Sequence, residues 1–287
     1  MTRPSRRSFL QAAAGGGALL ATAKVGFTQS AAVTRIPGVR LGIASYSLRN
    51  FTRAQAIEML RALRVPYVNI KSVHLAYDAS SPDIAAARRQ FADAGLEIVG
   101  GGTVTFEEDT DASVNRYFAY AKAAGMPVIV ATCPPATLRR VERHAIRYDI
   151  KIAIHNHGPE DQHYPAPRDA LAHVRSMDPR MGLCIDVGHT VRTGTDVVAA
   201  IAEAGPRLHD LHLKDLRDLR DRASQCIVGE GAIPIPDVLR QLTAMQFSGC
   251  ANLEYEIAAD NPLPGMQRSM AYLRGVLGGI DAAAKKG

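Results

Sequence analysis

Four short runs in the second half of the chain carry the side chains best able to hold a cation or move a proton. His155 and His157 lie in IAIHNHGPED with Glu160, Asp186 and His189 in CIDVGHT, His212 and Lys214 in LHLKD, and Glu254 in NLEYE. One Asp, one or two Glu and one or more His form a mixed oxygen and nitrogen donor set that suits Mn²⁺, Mg²⁺, Co²⁺ or Zn²⁺. No thiolate is expected to join them. Taken singly, a strand-end His is ordinarily a hydrogen-bonded structural residue, and a strand-end Asp caps the following helix. Each of these residues, however, closes an apolar run, where a charge is costly unless paired or metal-bound. Four such runs in succession point to one shared metal site.

Convergence requires an architecture that gathers sequence-distant strand ends. Strand-like runs begin near Val39, Pro66, Leu96, Met126, Lys151, Met181, Arg207 and Gly249, several of them almost continuously apolar, as parallel strands buried on both faces are. Helical patterns alternate with them over 53–63, 82–94, 111–124, 136–148, 168–177, 195–204, 235–245 and 266–284. Gly95, Gly125, Gly205 and Gly249 precede strands, where a helix end calls for a residue tolerant of positive φ. Eight such units predict a single (β/α)8 TIM barrel over about 35–282, with all strand C-termini at one mouth. An open doubly wound sheet would carry a phosphate-binding glycine loop. Gly100-Gly101-Gly102 lacks that spacing and reads as a tight turn.

The chain of 287 residues, 47% apolar, is long enough for one such barrel. Its net charge of +6 is unevenly spread: Arg3, Arg6, Arg7 and Lys24 precede residue 32, where there is no Asp or Glu, so the remainder carries about +2. That is too little for a nucleic-acid surface. Ser5-Arg6-Arg7-Ser8-Phe9-Leu10 followed by a mild apolar stretch from Ala12 to Ala23 reads as a twin-arginine signal over 1–31. It predicts passage through the twin-arginine export machinery to the periplasm, with no stable membrane span in the mature form. Cys133, Cys184, Cys226 and Cys250 are scattered without a CxxC pair, so no disulfide framework is expected. A homo-oligomer is compatible with the sequence.

In order and spacing, IHNHGPED, CIDVGHT, HLKD and LEYE, with SYSLR at the first strand, resemble the xylose isomerase-like barrel superfamily of sugar phosphate isomerases and epimerases. The resemblance spans essentially the whole chain after the leader and includes the 26 residues from Asp186 to His212, a spacing associated with the family's second and third metal ligands. It implies one divalent ion held by Glu, Asp, His and Glu, and Asp186, His212 and Glu254 match the last three. Where relatives carry a strand-five Glu, this chain has isoleucine and histidine. The first ligand is therefore either Glu160, folding back from the loop and preferred, or His155, which would otherwise contact substrate. Glu256 rivals Glu254, but the strand is expected to end at Glu254, leaving Glu256 as a supporting or substrate contact.

The implied chemistry is proton abstraction beside a carbonyl, through an enediolate, to give an epimer or isomer of a sugar or keto-sugar. Glu254 is expected both to bind the metal and to handle a proton, with His157 as the opposing acid/base. His189 and Lys214 would hold substrate oxygens, Arg192 a hydroxyl or acid group, and Lys71 and His74 are weaker candidates. For Lys214 and Asp215 a solvated ion pair is an equal alternative. With no phosphate-binding loop, a neutral substrate is favoured over a sugar phosphate. Two rivals share the residues: a metal-dependent lyase or dehydratase acting on a keto-glycoside, and an inactive sugar-binding barrel. An abasic-site nuclease lacks its further His ligands and a basic surface here.

Overall fold

All eight strand-like runs become strands of one closed parallel barrel in the computed structural model, which describes residues 38–285. The twin-arginine signal lies outside the described residues. In chain order the strands are β1 (Arg40–Ala44), β2 (Tyr67–Ile70), β3 (Glu97–Thr105), β4 (Val128–Thr132), β5 (Lys151–His155), β6 (Met181–Asp186), β7 (Leu208–Leu213) and β8 (Cys250–Leu253). Each pairs with its sequence neighbours, and β1 closes on β8. The main helices are Arg53–Ala62, Ser81–Asp93, Asp111–Ala124, Leu138–Tyr148, Pro167–Val174, Val197–Ala204, Ile235–Ala244 and Leu263–Ala284. They follow the predicted pattern, with shifts set by local chemistry. Asp196 caps the amides of Val198 and Ala199, so that helix starts after the predicted 195. Pro264 fits the first turn of the last helix, which starts before 266.

Three features differ from expectation. Gly100-Gly101-Gly102 is no turn but the interior of β3, where the pairing register with β4 shifts between Gly101 and Val104. A Cβ at Gly102, where φ is positive, would strike the Val130 carbonyl, so the backbone approach there demands glycine, and one at Gly101 would press on the Met126 thioether. Gly95 and Gly125 take positive φ as predicted, whereas Gly249 is glycine because a side chain would meet Phe247 and the His209 carbonyl. Finally, a six-residue helix, Val187–Arg192, follows β6 directly, and a short antiparallel ribbon pairs Asp215–Leu216 with Gln225–Cys226 above the barrel.

The larger core lies between strands and helices, and a smaller cluster of Val128, Val130, Ala153 and Cys184 fills the barrel. The strand period of two stacks the inner face in layers. Cys184 and Asp210 lie side by side below Asp186 and His212, which pair in turn, and β8 pairs Cys250 with Asp210 and Asn252 with His212. Asn69 on β2 donates to Asp210 on β7 (3.2 Å), a bond that must cross the barrel interior because those strands are not neighbours. Among the described residues no helix is long and apolar enough to cross a membrane.

Candidate metal centre

The last inward positions of β5, β6 and β7, and the residue just after β8, bring His155, Asp186, His212 and Glu254 together, with one donor atom from each within 4.8 Å of the others. His155 Nε2 lies 3.0 Å from His212 Nδ1 and 3.7 Å from Asp186 Oδ2, and His212 Nδ1 lies 3.3 Å from Glu254 Oε2. Ligands bound at about 2.1 Å to one ion stand roughly 3.0–3.4 Å apart at right or tetrahedral angles, so these spacings fit a common cation. Of the cluster-facing oxygens, Asp186 Oδ2 has no hydrogen bond, and the far ring nitrogens of both histidines, His155 Nδ1 and His212 Nε2, are likewise unpartnered. The chemistry and spacing of this donor set fit a divalent ion.

Asp186 serves two purposes. Its Oδ1 accepts the His189 backbone N–H at 2.8 Å and caps the helix Val187–Arg192, while Oδ2 turns into the cluster. Asn156, between the two histidines of HNH, is structural: it accepts the Asp186 N–H (3.0 Å) and donates to Thr190 (3.1 Å). Lys214 Nζ closes the group, 2.9 Å from both Asp186 Oδ2 and Glu254 Oε2 and 2.5 Å from Glu256 Oε1. The contact to Asp186 is electrostatic, since Oδ2 has no hydrogen-bonding geometry. Burial works against the Lys214 charge, but Asp186, Glu254 and Glu256 override it and hold the ammonium well above its ordinary pKa. Burial likewise opposes ionisation of Glu254, yet Lys214 and His212 keep its pKa well below the usual range.

His212 is the proton-bearing member when no ion is bound. Burial disfavours its charge, but Glu254, Asp210 and Asp186 together raise its pKa to about 9. His155, buried among other histidines, is pushed well below the usual value and accepts as the neutral ring. Beneath them Asp210 Oδ1 stands 3.9 Å from His212 Nε2 and receives Asn252 Nδ2 at 3.0 Å.

A family description of the xylose isomerase-like TIM barrel matches residues 76–276. The chain belongs to that family. No curated protein matches the sequence. Among solved structures, an uncharacterised protein from Parabacteroides distasonis is 24% identical, with a TM-score of 0.66 over 83% of this chain and 98% of that one. A 3-keto-D-glucoside 4-epimerase from E. coli is 15% identical (TM-score 0.67; 83% and 99% covered). A D-psicose 3-epimerase from Clostridium cellulolyticum H10 is 14% identical (TM-score 0.68; 83% and 99% covered). At these identities the likeness is one of fold.

In this xylose isomerase-like barrel His155, not Glu160, occupies the fourth corner of the cluster. Glu160 is 62% exposed and ion-pairs with Arg192. Its loop is held in this path by Asp161, next in sequence, which accepts the amides of His163 (2.8 Å) and Tyr164 (2.9 Å). Arg192 is likewise committed, with Nη1 3.1 Å from His189 Nδ1, and stands behind His189 instead of lining the cavity. His74 spends both ring nitrogens on Ser45 Oγ (2.9 Å) and the Leu48 carbonyl (3.2 Å). Lys214 and Asp215 do not form a solvated pair. Both are buried, and Asp215 instead accepts the amides of Gly229, Gly231 and Ile233. Cys184 Sγ lies within 4.8 Å of donor atoms of His155 and His212, but burial and the Asp210 charge push its pKa well up, so it stands there as a thiol. All four cysteines are free and buried.

Over the cluster opens a cavity of about 460 Å³ lined by His155, His157, His189, Glu254, Glu256 and Lys71. Tyr46, Thr103, Thr105, Thr132 and Arg222 complete its wall and were not singled out from sequence. The threonines end β3 and β4, where polar residues at the C-terminal edge of a barrel strand are the available signal. His157 Nδ1 is 3.1 Å from Asp161 Oδ2. Burial opposes the Asp161 charge, but the amides of Tyr164 and His163 keep its pKa below the ordinary value. That carboxylate favours the Nδ1–H tautomer of His157, which turns the other ring nitrogen, Nε2, into an acceptor.

The raised pKa of His212 sets a pH dependence. With no ion bound, its folded-state pKa of about 9 exceeds the ordinary 6.5, so its charge stabilises the fold below that ordinary value and the gain is lost as pH rises through about 9. An ion must displace that proton. Apparent Mn²⁺ affinity should rise about tenfold per pH unit through the neutral range and level off near pH 9. Calorimetric titration at several pH values checks this, and His212→Gln should flatten the dependence along with the affinity.

Proposed function

We propose that the protein is a divalent-metal-dependent sugar isomerase or epimerase that removes a proton beside the carbonyl of a neutral sugar or keto-sugar. The observation carrying this reading is the convergence of His155, Asp186, His212 and Glu254 donor atoms within 4.8 Å at the open end of the barrel. A Mn²⁺, Mg²⁺, Co²⁺ or Zn²⁺ ion held by these four would supply Lewis acidity to a substrate carbonyl. The chain's own groups then move the proton. Glu254 Oε2 is engaged by Lys214 and His212, whereas Oε1 makes no hydrogen bond among the described residues and is the oxygen left to the cavity. His157 Nε2, oriented through Asp161, is the second proton carrier. One base takes the proton and the other returns it, at the same carbon for an epimer or at its neighbour for an isomer.

His189 and Lys71 line the same cavity and are placed to hold substrate oxygens as negative charge develops. Burial lowers the Lys71 pKa, against the opposing pull of Glu254 and Glu256. Those two carboxylates in the wall disfavour a phosphorylated substrate. The same bases support elimination where a leaving group is β to the carbanion, which keeps the lyase reading on a keto-glycoside as the second choice. A panel of sugars and keto-sugars in D₂O with Mn²⁺, read by mass, separates the readings. Deuterium uptake at unchanged composition is the expected result, and loss of water or an aglycone identifies the lyase. Neither outcome across the panel would leave the inactive sugar-binding barrel.

A further inference from the structure

The mouth has a second lobe, about 390 Å³ in volume, beside the ribbon that pairs Asp215–Leu216 with Gln225–Cys226. It shares His189, Arg222 and Glu256 with the lobe over the cluster, so the two are continuous. Each falls within the ~300–1,000 Å³ typical of ligand pockets. Their walls differ. Leu216, Ala223 and Ile257 supply apolar surface to the second lobe.

The polar residues of that lobe are largely spent. Lys214 Nζ is held by three carboxylates. Gln225 donates Nε2 to the Glu254 carbonyl at 3.0 Å and accepts the Glu256 N–H at 2.9 Å, leaving its stem to the cavity. Asp221 accepts the Ala223 N–H at 2.8 Å. Away from the exposed Asp221 and Arg222, a second sugar ring would strand hydroxyls against the occupied Lys214 and Gln225, at about 1–3 kcal/mol for each one buried unpaired. An apolar ring meets no such cost. Arg222, exposed where the lobes join, has no hydrogen bond or ion pair among the described residues and presents a free guanidinium plane.

We propose that the second lobe is a subsite for an aromatic or otherwise apolar aglycone, so that the substrate is a glycoside spanning both lobes. Its sugar ring takes the polar lobe, and its aglycone rests against Leu216, Ala223 and Ile257 with Arg222 stacked at the junction. The inference rests on reading the cluster as the sugar site, and the test separates the two.

Mn²⁺-loaded protein is titrated calorimetrically with p-nitrophenyl and methyl β-D-glucopyranoside and with cellobiose as its methyl β-glycoside, none of which carries a free carbonyl to react. The aryl glycoside should bind at least about tenfold tighter than the other two. Ala223→Trp, an exposed turn position that fills the lobe, should abolish that advantage and leave methyl glucoside binding unchanged. Ile257→Ser, which removes apolar wall instead of adding bulk, should reduce it in the same direction. Equal affinities for aryl and methyl glycosides, an advantage that survives Ala223→Trp, or no measurable binding overturns the subsite. Tighter binding of the cellobioside overturns it in favour of a second sugar. Deuterium exchange reports separately on the catalytic reading: its failure with the aryl preference intact sinks the proposed reaction and leaves the subsite standing.

Discussion

Asp186→Ala should give a folded barrel that no longer holds a divalent ion. The wild-type carboxylate contributes in three ways, through Oδ1 to the His189 amide and through Oδ2 to the cluster and to the Lys214 ammonium, which keeps Glu254 and Glu256 when Asp186 is removed. Losing the cap costs about 0.5–2 kcal/mol, which a barrel of this size tolerates. Losing the ligand is more serious, because Glu254 would be the only carboxylate left in the donor set beside the Lys214 ammonium. The fall in Mn²⁺ affinity should therefore exceed the roughly 10–100-fold typical of losing a mere supporting partner. Asp186→Asn separates the cap from the other two, since an amide oxygen still caps the helix but brings no charge. It should recover the cap's share of the stability and still lose the ion. Metal content by mass spectrometry, with thermal midpoints recorded with and without Mn²⁺, reads both effects. Wild-type metal content in either variant would sink the centre.

The barrel was legible because its strands and helices repeat a local pattern: apolar runs of strand length, amphipathic stretches between them, and punctuation by glycine and proline. Asp186, His212 and Glu254 were legible for a related reason, since each polar residue closes an apolar run and a barrel converges such ends. Glu160 against His155 was a different kind of question. It depended on where a loop turns after β5, and that was decided by Asp161 accepting two amides two and three residues on. Local side-chain hydrogen bonds of this sort are not visible as periodicity. Arg192 was misplaced for the same reason: its partner Glu160 is 32 residues away in sequence. Asp210 could have been found, because the alternation in LHDLHL puts it on the same face as His212. Arg222 gave no such signal, lying in a loop rich in charge whose arginines are indistinguishable until the ribbon is folded.

Lys214→Met should destabilise the ion-free protein by about 3–5 kcal/mol, the range expected when one partner of a buried ion pair is removed. The ammonium is buried within 2.9 Å of Asp186 and Glu254, with Glu256 closer still. Its pKa is held well above 10.5, so the charge is present throughout the neutral range and the stabilisation with it. Methionine keeps the length and the packing of the stem beside Gly188, where a Cβ would come within 2.7 Å of the Lys214 chain. It leaves three carboxylates with His212 as the one remaining cation of the cluster among the described residues. A divalent ion can compensate two of them. Mn²⁺ should therefore raise the melting temperature of the variant more than that of the wild type, and should bind it at least as tightly, since a like charge has been removed from beside the site. Turnover should nevertheless fall, because Glu254 and Glu256 lose the group that orients them at the cavity wall. Denaturant titrations with and without Mn²⁺ give the comparison. Equal destabilisation in both conditions would mean that the ion and the ammonium do not share these carboxylates.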